Sequence, residues 1–355
     1  MREPGSVELF EREPSLGAID SALAEGRVGG GTALLIEGPA GIGKTALLEE
    51  AQGRAHGFVA LRAGGGEFER ELPLGVVRQL FEPALWRATD RQRERWLRGP
   101  SEIAGSVFGV ASTGATAGDP PPGDVAAVRS AFYWLAVALA EDSPLLLLID
   151  DLHWADRESV RWLLFSVRRL AGTGITVIAA TRLREPGADD ALLEGLVALD
   201  GVALARLAPL SARGSASFVT AWSDSPVTEP AFAAACHELS GGNPFMLTEL
   251  LREASRARVE PDADGARRLG ALVPEGLARA VLPRLRMLGA DAVGVARAVA
   301  IMASGVAVRH AALLAEVSVD EASAAADALA RAGCCGTPSG SRSRTRWYAR
   351  RSSAT

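Results

Sequence analysis

Lysine is all but missing from this chain. Of its 38 basic side chains, all but Lys44 are arginine. Replacement on that scale, beside abundant alanine and glycine, reads as the coding bias of GC-rich DNA. It is not an adaptation to nucleic acid, because the net charge is −5 and the body of the chain carries no basic stripe for a DNA-binding face. Cysteine is scarce as well: Cys236 stands alone and Cys334 and Cys335 are adjacent. That leaves no C-x-x-C pair, no metal-ligand spacing and no disulfide framework, and unpaired thiols suit a reducing cytoplasm. Long hydrophobic runs are missing too. "AFYWLAVALA" and "PLLLLI" are too short to span a bilayer, and the charged opening "MREPGSVELFEREP" has no apolar h-region of a signal peptide. A cytoplasmic protein with no membrane partner is expected.

What is present is the composition of a soluble globular chain, 48% hydrophobic and 23% charged over 355 residues, enough for two or three domains. Five short apolar runs read as strands: Thr32–Gly38, Phe58–Ala63, Pro144–Asp151, Ile175–Arg182 and Val202–Pro209. None alternates apolar with polar, as parallel strands covered on both faces need not. Helical patterns such as "KTALLEEAQGRA" and "SVRWLLFSVRRLA" lie between them, so a parallel α/β sheet is expected. The Gly/Pro/Ser/Thr-rich stretch Gly105–Asp124 reads as a loop. After about Leu210 the strand signal ends, and Ala/Leu-rich helices continue to about Ala332. The tail Cys334–Thr355 has five arginines, no acidic residue and no apolar period, and cannot build a core by itself.

Gly38-Pro39-Ala40-Gly41-Ile42-Gly43-Lys44-Thr45 fits G-x-x-x-x-G-K-[ST], with an apolar strand before it and an amphipathic helix after. Gly38, Gly41 and Gly43 let the backbone wrap an anion with its amides inward. The loop opens into a helix N-terminus, Lys44-Thr45-Ala46, whose free amides and dipole favour phosphate. Thr45 offers a hydroxyl to Mg²⁺. Lys44 is a compact point charge able to reach the β- and γ-phosphates, where a planar guanidinium fits poorly. The coding bias against lysine was resisted where ammonium geometry matters.

The run "LLLLIDD" supplies acid at the end of a buried strand. Asp150 can hold Mg²⁺, usually through water, and Asp151 can orient or deprotonate an attacking water. His153 and Trp154 read as a loop histidine and an aromatic plug under the next helix, and Asp156 as that helix's N-cap.

The phosphate loop, "PLLLLIDDLHWAD", "VIAATRLRE" and "SGGNPFMLTEL", in that order, resemble the ATPase module of STAND signalling NTPases. With "RELPLGVVRQLFEPAL" (Arg70–Leu85), the chain also resembles the large ATP-binding regulators of the LuxR family. The resemblance runs from about Leu9 to Gly333. It implies an α/β P-loop NTPase fold of AAA/STAND type over residues 1–210, with a parallel sheet and helices on both faces. An all-α lid would follow over 211–258, a winged-helix-like helical region over 259–333 and an off-pattern basic tail over 334–355. It also implies ATP or ADP as ligand, Mg²⁺ on Thr45 and Asp150, and Lys44 on the phosphates. Asp151 would be the water-activating acid and Arg182 a sensor near the γ-phosphate. Pro244, in Gly242-Asn243-Pro244, would lie against the adenine, and Arg12 on the adenine side. Pro244 also suits an ordinary helix N1 position.

Such a module is a slow ATPase that works as a latch, with an inducer molecule or self-association as the partner event. The family continues into a sensor region and a DNA-binding helix-turn-helix, which this sequence does not reach, so no direct DNA binding is expected of it. A GC-rich back-translation of Ser343–Ser352, read from its third base, gives Ala-His-Pro-Leu-Val-Arg-Ala-Ala-Val, a segment such regulators carry at this point. The tail is therefore expected to be out of frame, with a natural basic tail for an anionic partner as the alternative. An AAA+ oligomeric loader or motor is the competing function. It would need an arginine finger, and Arg168–Arg169 are candidates, although two arginines ending a helix also suit its dipole.

Overall fold

The computed structural model describes residues 9–108, 125–182, 189–223, 229–270, 272, 285, 288–302 and 306–331, with the backbone of 346–347. Five parallel strands, β1 (Thr32–Glu37), β2 (Val59–Gly64), β3 (Leu145–Asp150), β4 (Ile175–Thr181) and β5 (Val202–Arg206), form one sheet in the order β2-β3-β4-β1-β5. Each lies within three residues of its apolar run. The fold is α/β, as expected.

The three inner strands are apolar through most of their length, with polar residues only at Thr32, Glu37, Asp150, Thr176 and Thr181, because both their faces are covered. Leu34, Ile36, Leu146, Leu148, Ile178 and Ala180 point to one side, under α1 (Glu13–Arg27) and α2 (Lys44–Arg54). Their neighbours Ala33, Leu35, Leu145, Leu147, Ile149, Val177 and Ala179 point to the other. There they meet α3 (Gly75–Arg87), α6 (Val125–Ala140) and α7 (Arg157–Val167), with the short helices α4 (Asp90–Trp96) and α5 (Glu102–Val107) beside α6 and α8 (Asp190–Val197) beside α7. Phe81, Phe132 and Trp162 fill that layer, with ring centroids 5.7 Å apart for Phe81–Trp162 and 6.0 Å for Phe81–Phe132. The expectation of two-sided cover is corrected at the edges. β2 and β5 each have one neighbour, and Val59 is 40% exposed.

The second part is helical: α9 (Ala212–Ser223), α10 (Pro230–Ser240), α11 (Pro244–Arg256) and α12 (Ala263–Leu269) surround their own core of Leu210, Val219, Phe232, Cys236 and Leu247. A separate core of Ala292, Val295, Ala311, Ala322 and Leu329 holds the helices Ala290–Ile301, Val308–Ala315 and Val319–Arg331. Strand Val306–Ala307 pairs antiparallel with Arg346–Trp347, a feature not foreseen, since two residues carry no period. Residues 109–124 of the expected loop, most of the helix pattern at 274–288 and most of the tail lie outside the described residues.

Burial in the helical core pushes the Cys236 thiol up to about 12. It is therefore a thiol, not a thiolate, at neutral pH. Iodoacetamide should leave Cys236 unlabelled in the native protein and label it after denaturation, read by peptide mass; labelling of the native protein at the denatured rate would contradict this.

Candidate functional site

The carboxyl edge of the sheet gathers the residues singled out above. β1 runs into the phosphate loop, and β3 ends at Asp150. Only β4 stands between them, which separates the two strands by about 10 Å. The Gly38 amide donates to Thr181 O at 3.3 Å, joining the loop to the end of β4.

Ile42 anchors the loop by burying its side chain in the core beside Leu47 and Leu48. Gly41 (φ 72°) and Gly43 (φ 104°) flank it in the left-handed region, where a side chain would be strained. Gly43 is the N-terminal cap of α2, so Lys44, Thr45 and Ala46 form its first turn, with Thr45 exposed and Ala46 half-buried. Lys44 is 5% exposed, and its Nζ donates to Gly38 O (2.9 Å) and Pro39 O (3.0 Å). The ammonium therefore lies across the mouth of the loop.

The loop's outer carbonyls are held from outside. Ala40 O accepts from Asn243 Nδ2 (2.9 Å), Gly41 O from the Phe245 amide (3.1 Å) and Ile42 O from Arg12 Nη2 (3.1 Å). In a planar trans peptide the carbonyl and the following amide point opposite ways. The amides of Gly41, Ile42 and Gly43 are thereby turned away from these three donors. An inward row of amides, a helix N-terminus and a buried ammonium form a donor set that fits phosphate oxygens.

Asp150 Oδ1 accepts from the Asp151 amide (2.9 Å), and its Oδ2 lies 3.9 Å from Arg62. Asp151 takes a left-handed conformation (φ 43°) that swings its carboxylate off the strand end. Its Oδ1 is 3.7 Å from Arg182 Nη2 and 3.7 Å from His153 Nε2. His153 is more than a loop histidine: it is buried in a short 3₁₀ turn, Leu152–Trp154, against the acid. Trp154 is half-buried under the guanidinium of Arg70, 5.0 Å from its ring centre. Asp156 caps α7 through the Ser159 amide (2.9 Å). Among the described residues, no group of three or more His, Cys, Asp and Glu could hold a metal by itself. A site that binds Mg²⁺ through one or two protein oxygens and the substrate's phosphates needs no such cage.

Arg12 is buried, which lowers its pKa through desolvation, but it stays a cation at neutral pH. Pro244 is half-buried at the start of α11, behind its N-cap Asn243. Arg169 stacks on Phe165 and donates to Phe165 O (2.7 Å), which places it on the end of its own helix.

Sequence reasoning passed over Thr181, whose buried hydroxyl has no hydrogen-bond partner among the described residues. The signal available was a polar residue closing an apolar strand. It also passed over Asn243 as a contact of the phosphate loop. There the only signal was a cap residue before proline, which says nothing of a partner 203 positions away.

Residues 8–178 match the family model of the AAA ATPase domain. Over 97% of its length the chain is similar to 94% of a Walker-type ATPase of Pyrococcus abyssi, at 16% identity and a TM-score of 0.58. Two more distant likenesses are a STAND protein with a tetratricopeptide repeat sensor from Pyrococcus horikoshii and Drosophila ORC bound to DNA. The first has 16% identity over 93% of this chain and 40% of that one, TM-score 0.39. The second has 13% identity over 96% and 84%, TM-score 0.48. No curated protein matches the chain. No helix among the described residues is long and apolar enough to cross a membrane. The fold is that of an α/β P-loop NTPase, and the likeness to the AAA ATPase domain covers residues 8–178, just under half of the chain.

Proposed function

We propose that this protein is an ATP-binding signalling switch with slow Mg²⁺-dependent hydrolysis, the ATPase part of a LuxR-type transcriptional regulator. In this reading residues 1–210 bind nucleotide, 211–258 form the lid, 259–333 are winged-helix-like, and 334–355 are an appended basic tail. The observation that carries it is the lid helix α11 seated end-on against the phosphate loop. A lid bonded to the loop can respond to what the loop holds, as a two-state switch requires.

Lys44 and the amides of Gly41, Ile42 and Gly43 bind the phosphates, and Gly38 gives the loop its turn. Thr45 and Asp150 hold Mg²⁺, which supplies charge neutralisation on the phosphate oxygens. Asp151 orients water and accepts its proton, and Arg182 and His153 fix the carboxylate that does so. In this reading Arg182, beside Asp151, also reads the γ-phosphate. Pro244 and Arg12 border the adenine side. A cytoplasmic location and an inducer or self-association as the triggering partner complete the reading.

The test is nucleotide content. Protein denatured after purification should release ADP or ATP, identified by chromatography, and Lys44→Ala should release none while keeping its circular dichroism. Losing charged hydrogen bonds worth about 1.5–3 kcal/mol each weakens binding at least ~10-fold. A Lys44→Ala protein that retains full nucleotide would overturn the assignment.

A further inference from the structure

We propose that Asn243 and Arg12 are positioning residues that aim the phosphate-binding amides of the loop, so that the lid and the N-terminal segment set phosphate affinity without touching phosphate. The inference rests on the nucleotide site proposed above and assigns it a control.

Both ends of the Asn243 carboxamide are engaged, which fixes its orientation. Its Oδ1 accepts from the amides of Phe245 (3.1 Å) and Met246 (3.3 Å), which caps α11. That leaves Nδ2 as the group facing the loop, and it donates to Ala40 O. Pro244, the first helical residue, has no amide to compete for the cap. One residue away, the Phe245 amide holds Gly41 O, and Arg12 holds Ile42 O while donating also to Glu11 O (2.9 Å). Three consecutive peptide planes are thus fixed by donors from two segments distant in sequence.

Those two segments are themselves joined. The Glu11 carboxylate takes the Ser211 amide (2.7 Å) and the Ser211 hydroxyl at the start of the lid, and Phe10 meets Phe218 at 5.6 Å. Leu210 donates to Gly242 O at 2.8 Å, which ties the chain leading out of the sheet to the turn before Asn243. A shift of the lid therefore releases Ala40 O and Gly41 O together. Each released plane can rotate, and a rotated plane takes its amide off the anion. The effect is specific to phosphate, since the adenosine part does not depend on these amides.

The test uses Asn243→Ser and, separately, Arg12→Met, with ADP and adenosine as probes by calorimetry or competition. Serine keeps a neutral helix cap but lacks the carboxamide donor. Each variant should weaken ADP about threefold to tenfold, the loss of one hydrogen bond. Adenosine affinity should stay at the wild-type value in Asn243→Ser, and Arg12→Met, whose residue also borders the adenine side, should lose more ADP affinity than adenosine affinity. The melting midpoint of nucleotide-free Asn243→Ser should fall by no more than a few degrees, the loss of one hydrogen bond. Equal loss of ADP and adenosine would mean that the residue merely supports the fold, and unchanged ADP affinity would mean that the clasp does not aim the amides; either overturns the proposal. If Lys44→Ala weakens ADP and these variants do not, the clasp alone fails. If Lys44→Ala leaves ADP binding intact, the site reading fails and the clasp with it.

Discussion

Asp151→Asn should leave nucleotide bound and stop its turnover. The substitution keeps shape and the left-handed backbone, which asparagine tolerates as aspartate does, and removes only the proton-accepting charge. A positioned general base contributes about 10²- to 10⁴-fold, so kcat should fall by that factor while ATP affinity changes by less than about threefold. Phosphate release measured at saturating ATP, with a parallel binding titration, separates the two. Retention of near-wild-type turnover would remove Asp151 from the role of base. The geometry argues for a prepared carboxylate: Asp151 is held within 3.7 Å of both Arg182 and His153, on a backbone conformation uncommon outside glycine.

Asp156→Ala should unfold the sheet's α3 side more than any surface change. This carboxylate is 4% exposed. It accepts from the amides of Leu74 (2.8 Å), Ser159 (2.9 Å) and Val76 (3.4 Å) and from the Ser159 hydroxyl (2.5 Å). Truncation strips a helix cap and leaves buried amides without a partner, at about 1–3 kcal/mol for each buried donor. A loss of about 3 kcal/mol or more is expected in the first denaturant transition, followed by tryptophan fluorescence. Asp156→Asn, which keeps one acceptor oxygen, should lie between wild type and alanine. A cost below about 1 kcal/mol for the alanine variant would show that the amides find other partners. Because Leu74 is pinned in a left-handed turn (φ 61°), the same bonds shape the start of α3.

The sheet was legible because its inner strands are buried on both faces and so read as unbroken apolar runs: "LLLLI" needs no alternation when Leu145 and Leu146 enter different cores. The edge strands looked the same in sequence, and only their single neighbours reveal why Val59 is exposed. The phosphate loop was legible because its requirements are local, a turn with two left-handed glycines opening a helix. Asp156 was legible as a cap for the same reason, but its hold on Leu74, 82 positions away, was not. Nor was the clasp of Asn243 or the burial of His153 against Asp151. These depend on where the lid and the 3₁₀ turn come to rest, and no short-range pattern encodes a long-range approach.

The scarcity of lysine, together with the burial of Lys44, has a chemical consequence. Every other lysine-or-arginine position is a guanidinium, and the one ε-amine is tied to two carbonyls beneath the surface. Amine-directed cross-linkers, which pass over arginine, therefore have a single side-chain amine as target in the whole molecule. The rate at which that amine is modified becomes a clock for how often the phosphate loop opens, with no engineered label required.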